Sequence, residues 1–381
     1  MKKKKKKPEN LLMIADSDHD ANMLYAVRMF VPDPFIYLRL RGRNYVVLSD
    51  LEIDRAHRQA PHCRALSLAR YQTKLREAGI RQPGFAQIIP AVLRERGIKS
   101  LMVPGNFPYG LVSGLRRGGV RVRPRPGNFF PEREQKSPQE VRNISAALVM
   151  AEVGMAEAIQ VLRSAKIGKG RRLLHHNVPL TSEKLRAVID CAILQASGFA
   201  AHTIVAGGQQ ACDPHETGYG PLRAHEPIIL DIFPRSQQTG YFGDITRTVV
   251  RGRASESVRK LYDTVLQGQK LAFKKMRPGV PTKAVHYAVL EFFEHAGYKT
   301  GKRQGRMQGF FHGTGHGLGL EIHEPPRMGQ NSVGRLKPGQ VVTVEPGLYY
   351  SRLGGVRLED VALITKSAPR NLTRFEKVLE I

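Results

Sequence analysis

The sequence predicts two domains, a small α/β domain followed by a larger α+β domain. Three observations carry this reading: the length, a break in periodicity in the first half, and strand pairs that carry acids. At 381 residues the chain exceeds what one hydrophobic core usually fills. A Pro/Gly/Arg-rich stretch from Arg121 to Pro131 interrupts every helical or strand period and marks the boundary. Domains are therefore expected at residues 11–131 and 135–381, behind a basic tail over residues 1–10 that is expected to be disordered.

Hydrophobic residues make up 41% and charged residues 24% of the chain, as in globular proteins and unlike disordered ones. Six lysines, Lys2 to Lys7, open the sequence. The apolar run from Leu11 to Ala15 is broken at once by Asp16, Asp18 and Asp20, too short and too acidic for the core of a signal peptide. No stretch is read as the ~18 apolar residues that span a bilayer, so a cytoplasmic location is expected. Cys63, Cys191 and Cys212 are widely spaced and odd in number, and reduced, buried thiols are expected. The formal charge of +27 raises the question of a polyanionic partner. The basic residues are spread through both halves without a zinc-finger or aromatic RNA-binding pattern. Weak polyanion adhesion is expected, and specific nucleic-acid binding is not.

In the first domain, strands at Tyr45-Val46-Val47-Leu48 and Ser100-Leu101-Met102-Val103 alternate with helix-like text from Tyr71 to Ala78, an α/β pattern. The second domain opens on Ser137-Pro138-Gln139-Glu140, a capping box with proline at the first helical position. The helix it starts carries Val141, Ile144, Leu148, Ala151, Met155, Ile159 and Leu162 on one face. Further helices are expected from Ser182 to Ala196, from Ser255 to Met276 before Pro278-Gly279, and from Thr282 to Ala296 before Gly297.

Strands follow, and they carry acids. Pro227 to Ile232 is apolar except for Asp231, and thirteen residues after Asp231, Asp244 opens a second strand to Val250. The two read as a hairpin around Gly240, with Thr246 and Thr248 on the face of Asp244. A carboxylate in an apolar strand is costly unless paired or metal-bound. The pattern recurs where Val341 to Val344 ends in Glu345 and Glu359 lies fourteen residues on, within Gly355 to Asp360. One such acid is ordinarily an ion-pair partner or an edge residue; four in two matching hairpins ask for a common cause. Between the hairpins stands His312-Gly313-Thr314-Gly315-His316-Gly317-Leu318-Gly319, followed by His323-Glu324-Pro325-Pro326. Imidazole with carboxylates suits hard-to-borderline divalent metals. Five ligands, four of them carboxylates, suit two cations about 3.5–4 Å apart. The expected set is Asp231, Asp244, His316, Glu345 and Glu359.

In order, spacing and flanking text these residues resemble the pita-bread metallopeptidases, which comprise Xaa-Pro aminopeptidases, Xaa-Pro dipeptidases and methionine aminopeptidases. The resemblance covers about Gln135 to Ile381. It rests on Leu230-Asp231, on Gly240 to Thr248, on His312 to Gly319, on Val344-Glu345-Pro346-Gly347 and on Val356 to Asp360. A preceding α/β domain and the His323-Glu324-Pro325-Pro326 text look like the proline-specific branch. The resemblance implies a curved, mainly antiparallel sheet with ligands on its concave face, helices behind it, pseudo-twofold halves and a dimer or tetramer. It implies that Asp231 holds one metal, that His316 and Glu345 hold the other, and that Asp244 and Glu359 bridge them. His215 falls where the family has a substrate-binding histidine. His312 and His323 match two further active-site histidines, with a structural role in its own loop as the alternative for His312. Arg357, expected on the strand face of Glu359, matches an arginine near the metals. The family commonly separates its first two aspartates by eleven residues. The longer interval here places a longer hairpin tip at Phe233 to Gln238, and an even insertion keeps both acids facing one way.

The activity so implied is removal of an amino-terminal residue in front of proline. A hydroxide bridging the metals would attack the scissile carbonyl, Glu345 would move the proton, and His323 and His312 would donate to the carbonyl and oxyanion. Proline lacks the amide N–H and restricts its predecessor, so general peptidases handle such bonds poorly. An Xaa-Pro aminopeptidase is the favoured reading and an Xaa-Pro dipeptidase the second. Arg327 or Arg335 is the candidate clamp for a dipeptide carboxylate, though both are read here as surface charges. Oxygen-rich ligation favours manganese, with cobalt, zinc or iron as alternatives. A catalytically silent scaffold that binds nucleic acid or an acidic partner is the reading from another class. The presence of all five ligand types speaks against it, and equally against a metal-free hydrolase.

Overall fold

A computed structural model describes residues 9–200 and 202–381; the lysine run at residues 2–7 lies outside them. The chain divides into two units, Met1–Pro131 and Glu132–Ile381.

In the first unit, strands β1 (Leu11–Ala15), β2 (Phe35–Leu40), β3 (Arg43–Leu48), β4 (Cys63–Ser67), β5 (Ser100–Val103) and β6 (Arg121–Pro124) form one sheet in the order β4-β3-β2-β1-β5-β6. The β1–β2–β3 pairings are antiparallel, and those of β3 with β4, β1 with β5 and β5 with β6 are parallel. Side chains alternate along a strand, so Leu12, Ile36 and Leu38 enter one core while Leu11, Met13 and Tyr37 enter another. Helices α1 (Ala21–Val27), α2 (Asp50–Gln59), α3 (Leu68–Glu77), α4 (Phe85–Arg94) and α5 (Tyr109–Arg117) complete the α/β unit. β6 ends the sheet with exposed Arg121, Arg123 and Pro124, residues that blunt a sheet edge.

The second unit begins with α6 (Pro138–Ser164), whose capping box is formed as the sequence reads: Glu140 N donates to Ser137 Oγ and Ser137 N donates to Glu140 Oε2. By length and composition alone α6 could cross a membrane, contrary to the expectation that no stretch is apolar enough to do so. Its apolar stripe is instead packed: Ala151, Met155, Ile159 and Leu162 share a core with α7 (Ser182–Gln195) and with the strands Ile228–Ile232 and Ile245–Val249. Gly154 permits the close crossing, because a Cβ there would lie 3.1 Å from both Ile189 and Ile193. The second half repeats the plan. Helices α8 (Glu256–Lys275) and α9 (Thr282–His295) pack against the strands Val341–Val344 and Asp360–Ile364 through Leu261, Val265, Val285, Val289 and Phe293.

Among the described residues the ligand-bearing strands belong to two antiparallel sheets. One holds Ile204–Gly207, Ile228–Ile232 and Ile245–Val249; the other runs Glu324–Met328, Gly315–Gly317, Val341–Val344, Asp360–Ile364, Pro369–Asn371. Arg247 links them, its Nη2 donating to Asp360 Oδ1 (3.0 Å), and Thr248 ties the first to the strand Gly354–Arg357, its Oγ1 donating to Arg357 O (2.9 Å) and accepting from Arg357 N (3.0 Å). The second expected hairpin is organised differently from the sequence reading. Gly347–Tyr350 and Gly354–Arg357 pair with each other, and the partner of Val341–Val344 is Asp360–Ile364. Arg357 and Glu359 therefore do not share one strand. The chain leaves the small hairpin at Leu358, and the Glu359 amide turns to Thr246 O (3.0 Å). In the first hairpin the longer tip is absorbed by Ser236 N to Tyr241 O and Gly243 N to Pro234 O, with Gly240 at φ +74°, a conformation that favours glycine.

Candidate metal centre and its cleft

Register places the four acids. Asp231 lies opposite Thr246, and Asp244 precedes Thr246 by two residues, which keeps it on the same face. Val344 pairs with Asp360, so Glu345 and Glu359 emerge just beyond the last paired residues. His316 enters from the neighbouring strand, where Gly317 pairs with Val342. Asp244, His316 and Glu359 each offer a donor atom within 4.8 Å of the other two. Glu345 Oε1 lies 3.2 Å from His316 Nε2, and Asp244 Oδ2 lies 3.8 Å from it. Arg357 Nη2 donates to Asp231 Oδ2 at 2.7 Å. Asp231 Oδ1 and Glu359 Oε1 are buried without any hydrogen-bond partner, an arrangement that costs free energy unless a cation completes it. The donor set fits divalent metals.

The electrostatics agree. Burial, and then the neighbouring carboxylates, push the Asp244 and Glu359 carboxyls well above the usual range. Burial would also raise Glu345, but the hydrogen bond and charge of His316 outweigh it and hold Glu345 at about 2. For His316, burial opposes the charged form and Glu345 prevails, raising its pKa. A cluster that draws protons onto two of its acids is one in which metal cations can displace those protons. His316 has the orientation a ligand needs. Its Nδ1 donates to Gly317 O (3.1 Å), which leaves Nε2 facing the carboxylates, where a metal can take the place of its proton. Thr343 Oγ1 accepts from His316 N (3.0 Å) and donates to Glu345 Oε1 (3.1 Å).

Arg357 anchors a chain of hydrogen bonds whose direction is forced. Carbonyl oxygens only accept, so His312 Nδ1, 2.8 Å from Gly313 O, carries the ring proton, and Nε2 accepts from Tyr349 Oη (2.8 Å). Arginine only donates, so Tyr349 Oη in turn accepts from Arg357 Nη1 (3.1 Å). Burial, with Arg357 nearby, pushes His312 down to about 4, which keeps the ring neutral. Both of its nitrogens are thus engaged within the protein, the arrangement that the structural alternative calls for. Arg357 Nε also reaches Thr246 Oγ1 (3.4 Å), which donates to Glu359 Oε2 (2.8 Å). The sequence reading missed Tyr349, because an aromatic residue in an apolar strand reads as ordinary core.

His323 lies at the rim, its ring perpendicular to that of His316 with centroids 4.4 Å apart. Burial, His316 and Arg327 lower its pKa to about 4. His215 is exposed on its loop, with its amide donating to Asp213 Oδ1 (3.2 Å). One cavity of about 1210 Å³ is lined by all nine expected site residues and also by Arg327 and Arg335. Arg335 Nη1 donates to Gly279 O (2.7 Å), whereas Arg327 stands in register with His316.

The profile of metallopeptidase family M24 matches residues 142–366. A protein named Xaa-Pro dipeptidase from Pyrococcus horikoshii is 29% identical over 74% of this chain and 75% of its own length. Its namesake from Pyrococcus furiosus is 30% identical over 74% and 76%. The solved X-Pro aminopeptidase from Thermotoga maritima superposes with a TM-score of 0.82 at 20% identity, over 98% of this chain and 97% of that one. The last likeness is one of fold, and the fold is the pita-bread one.

Proposed function

The chain belongs to metallopeptidase family M24, in the branch that cleaves Xaa-Pro bonds, and from that premise we propose that it hydrolyses Xaa-Pro dipeptides. This reverses the order of the two substrate readings drawn from sequence. Two findings support the reversal: the relatives similar over three quarters of the chain bear the dipeptidase name, and a cation able to meet a dipeptide's carboxylate lines the cleft. That cation is Arg327, exposed, lining the cavity and in register with His316. A guanidinium matches a carboxylate fork, and an Xaa-Pro dipeptide ends in a carboxylate directly after the proline ring.

Asp231, Asp244, His316, Glu345 and Glu359 would hold two divalent ions, manganese being our choice for so oxygen-rich a set. Bound there, the ions would supply an activated water and polarise the scissile carbonyl. Glu345 is ionised across the working pH range, so it can take the proton of the attacking water and deliver it to the departing proline nitrogen. His323, neutral near pH 7, donates its ring N–H to the substrate carbonyl from the rim. Arg357 holds Asp231, and through Tyr349 it holds His312, so His312 shapes the wall of the cleft. His215 closes the side facing the substrate's amino-terminal residue.

Hydrolysis of Gly-Pro and of Gly-Pro-Ala with added Mn²⁺ tests the substrate. The dipeptide should have the higher kcat/KM, and Arg327→Met should lower it about tenfold for Gly-Pro, the order of one charge-assisted hydrogen bond. The tripeptide should be little affected. Trimming of longer peptides is the second reading, favoured by the volume of the cleft, which exceeds that of most small-ligand pockets. A tripeptide cleaved as well as the dipeptide, with no effect of Arg327→Met, would put that reading first.

A further inference from the structure

One buried carboxylate beside the site has no part in the chemistry above. Glu324 directly follows His323 and is 3% exposed. Its Oε1 accepts from the amides of Leu320 (3.0 Å) and Glu321 (3.2 Å) and from the Arg133 guanidinium. Its Oε2 accepts from Lys136 Nζ (2.6 Å), an ammonium that is itself 1% exposed and also donates to Arg133 O (2.6 Å). Arg133 pairs in addition with Glu321 (2.7 Å). The space is reserved for this carboxylate, since a Cβ on Gly319 would lie 2.6 Å from Oε2.

A buried and a partly buried cation around one buried anion are a poor way to gain stability, because well-packed apolar residues of the same volume generally do as well or better. Such a cluster does fix a backbone. Here it fixes the loop on both sides of His323: the amides of residues 320 and 321 before it, and residue 324 after it. That matters because, among the described residues, the His323 ring has no hydrogen-bond partner of its own and packs edge-on against His316. Its direction is set by its backbone.

We propose that Glu324, gripped by Lys136 and Arg133, is a positioning residue that aims His323 at the substrate, so the segment entering α6 sets the rate of hydrolysis. The proposal rests on the reading of His323 as a substrate contact. Its signature is coupling, because groups that act through one another are non-additive.

The test is a double-mutant cycle of Lys136→Met and His323→Ala on Gly-Pro, with the manganese-loaded protein. Lys136→Met should lower kcat about tenfold with KM little changed in the wild-type background, and should have no further effect once His323 is alanine. Lys136→Arg should restore most of the loss. In metal-free protein, the His323 imidazole ¹⁵N resonance, identified by its disappearance in His323→Ala, should shift in Lys136→Met. Glu324→Gln, read at low temperature, gives the same cycle if Lys136→Met folds poorly. Equal losses in both backgrounds with an unmoved His323 resonance would overturn the positioning role and leave the proposed function intact. Wild-type turnover by His323→Ala would overturn the reading of His323 and this proposal with it.

Discussion

His312 shows how a single side chain's role follows from its partners. Its Nδ1 faces a carbonyl and its Nε2 faces the Tyr349 hydroxyl, so the neutral ring satisfies both and a protonated ring would force the hydroxyl to give up its role as donor. Burial therefore keeps its pKa at about 4, against about 6.5 for an unfolded histidine. Between those values the unfolded histidine binds more protons than the native one, so its contribution to stability is lost as pH falls from about 6.5 to about 4. Asp244, Glu359 and His316, whose pKa values are raised, act in the opposite sense, so the histidine is read by difference: in metal-free protein the urea midpoint of the wild type relative to that of His312→Gln should decline over that window. An identical slope in the variant would contradict the hydrogen-bond directions assigned to Arg357, Tyr349 and His312. At this scale the acids were legible in the sequence, since Asp231 and Glu345 interrupt runs of Ile, Leu and Val where a charge needs a reason. Tyr349 was not, because its hydroxyl matters only through Arg357 and His312, and no spacing joins residues brought together by the fold alone.

At the scale of elements, the two acid-bearing strand pairs are locked by one arginine. Arg247 is fully buried and spends its donors on Thr246 O (2.9 Å), Glu359 O (2.6 Å), Asp360 Oδ1 (3.0 Å), Phe375 O (2.7 Å) and Glu376 O (2.9 Å). Those partners span the backbone beside Glu359 and the carboxy-terminal segment, so the arginine ties both strand pairs to the end of the chain. Arg247→Met would leave Asp360 with Lys377 as its remaining cation and strand several carbonyls. A loss of ~3–5 kcal/mol is expected for breaking such a pair, measurable by chemical denaturation, and a loss below ~1 kcal/mol would refute the assigned role. Helices were the most legible elements, because caps such as Ser137 with Glu140 and stops such as Gly297 act locally. The small hairpin of Gly347–Tyr350 and Gly354–Arg357 was misassigned for a physical reason. Its text is as apolar and strand-like as its neighbours', and only the turn of the Glu359 amide towards Thr246 decides which segment pairs with Val341–Val344.

For the whole molecule, the repeated plan of a helix pair followed by an acid-bearing strand pair explains why one site draws on residues from 231 to 359. Each half supplies two carboxylates, and the seam at Thr246 and Arg247, which bond Glu359 and Asp360, brings them together. Neither half alone could offset the repulsion among four acids, so the assembled site calls for cations. This level was legible only as a recurrence of acids in strands; their convergence is a property of the complete fold. The most direct test is equilibrium dialysis of metal-free protein against Mn²⁺, counting bound ions per chain. Two ions are expected for the wild type, with a loss of binding in Asp244→Asn, which removes one of the four carboxylates. Wild-type protein that is folded and binds no manganese, cobalt, zinc or iron under the same conditions would contradict that expectation.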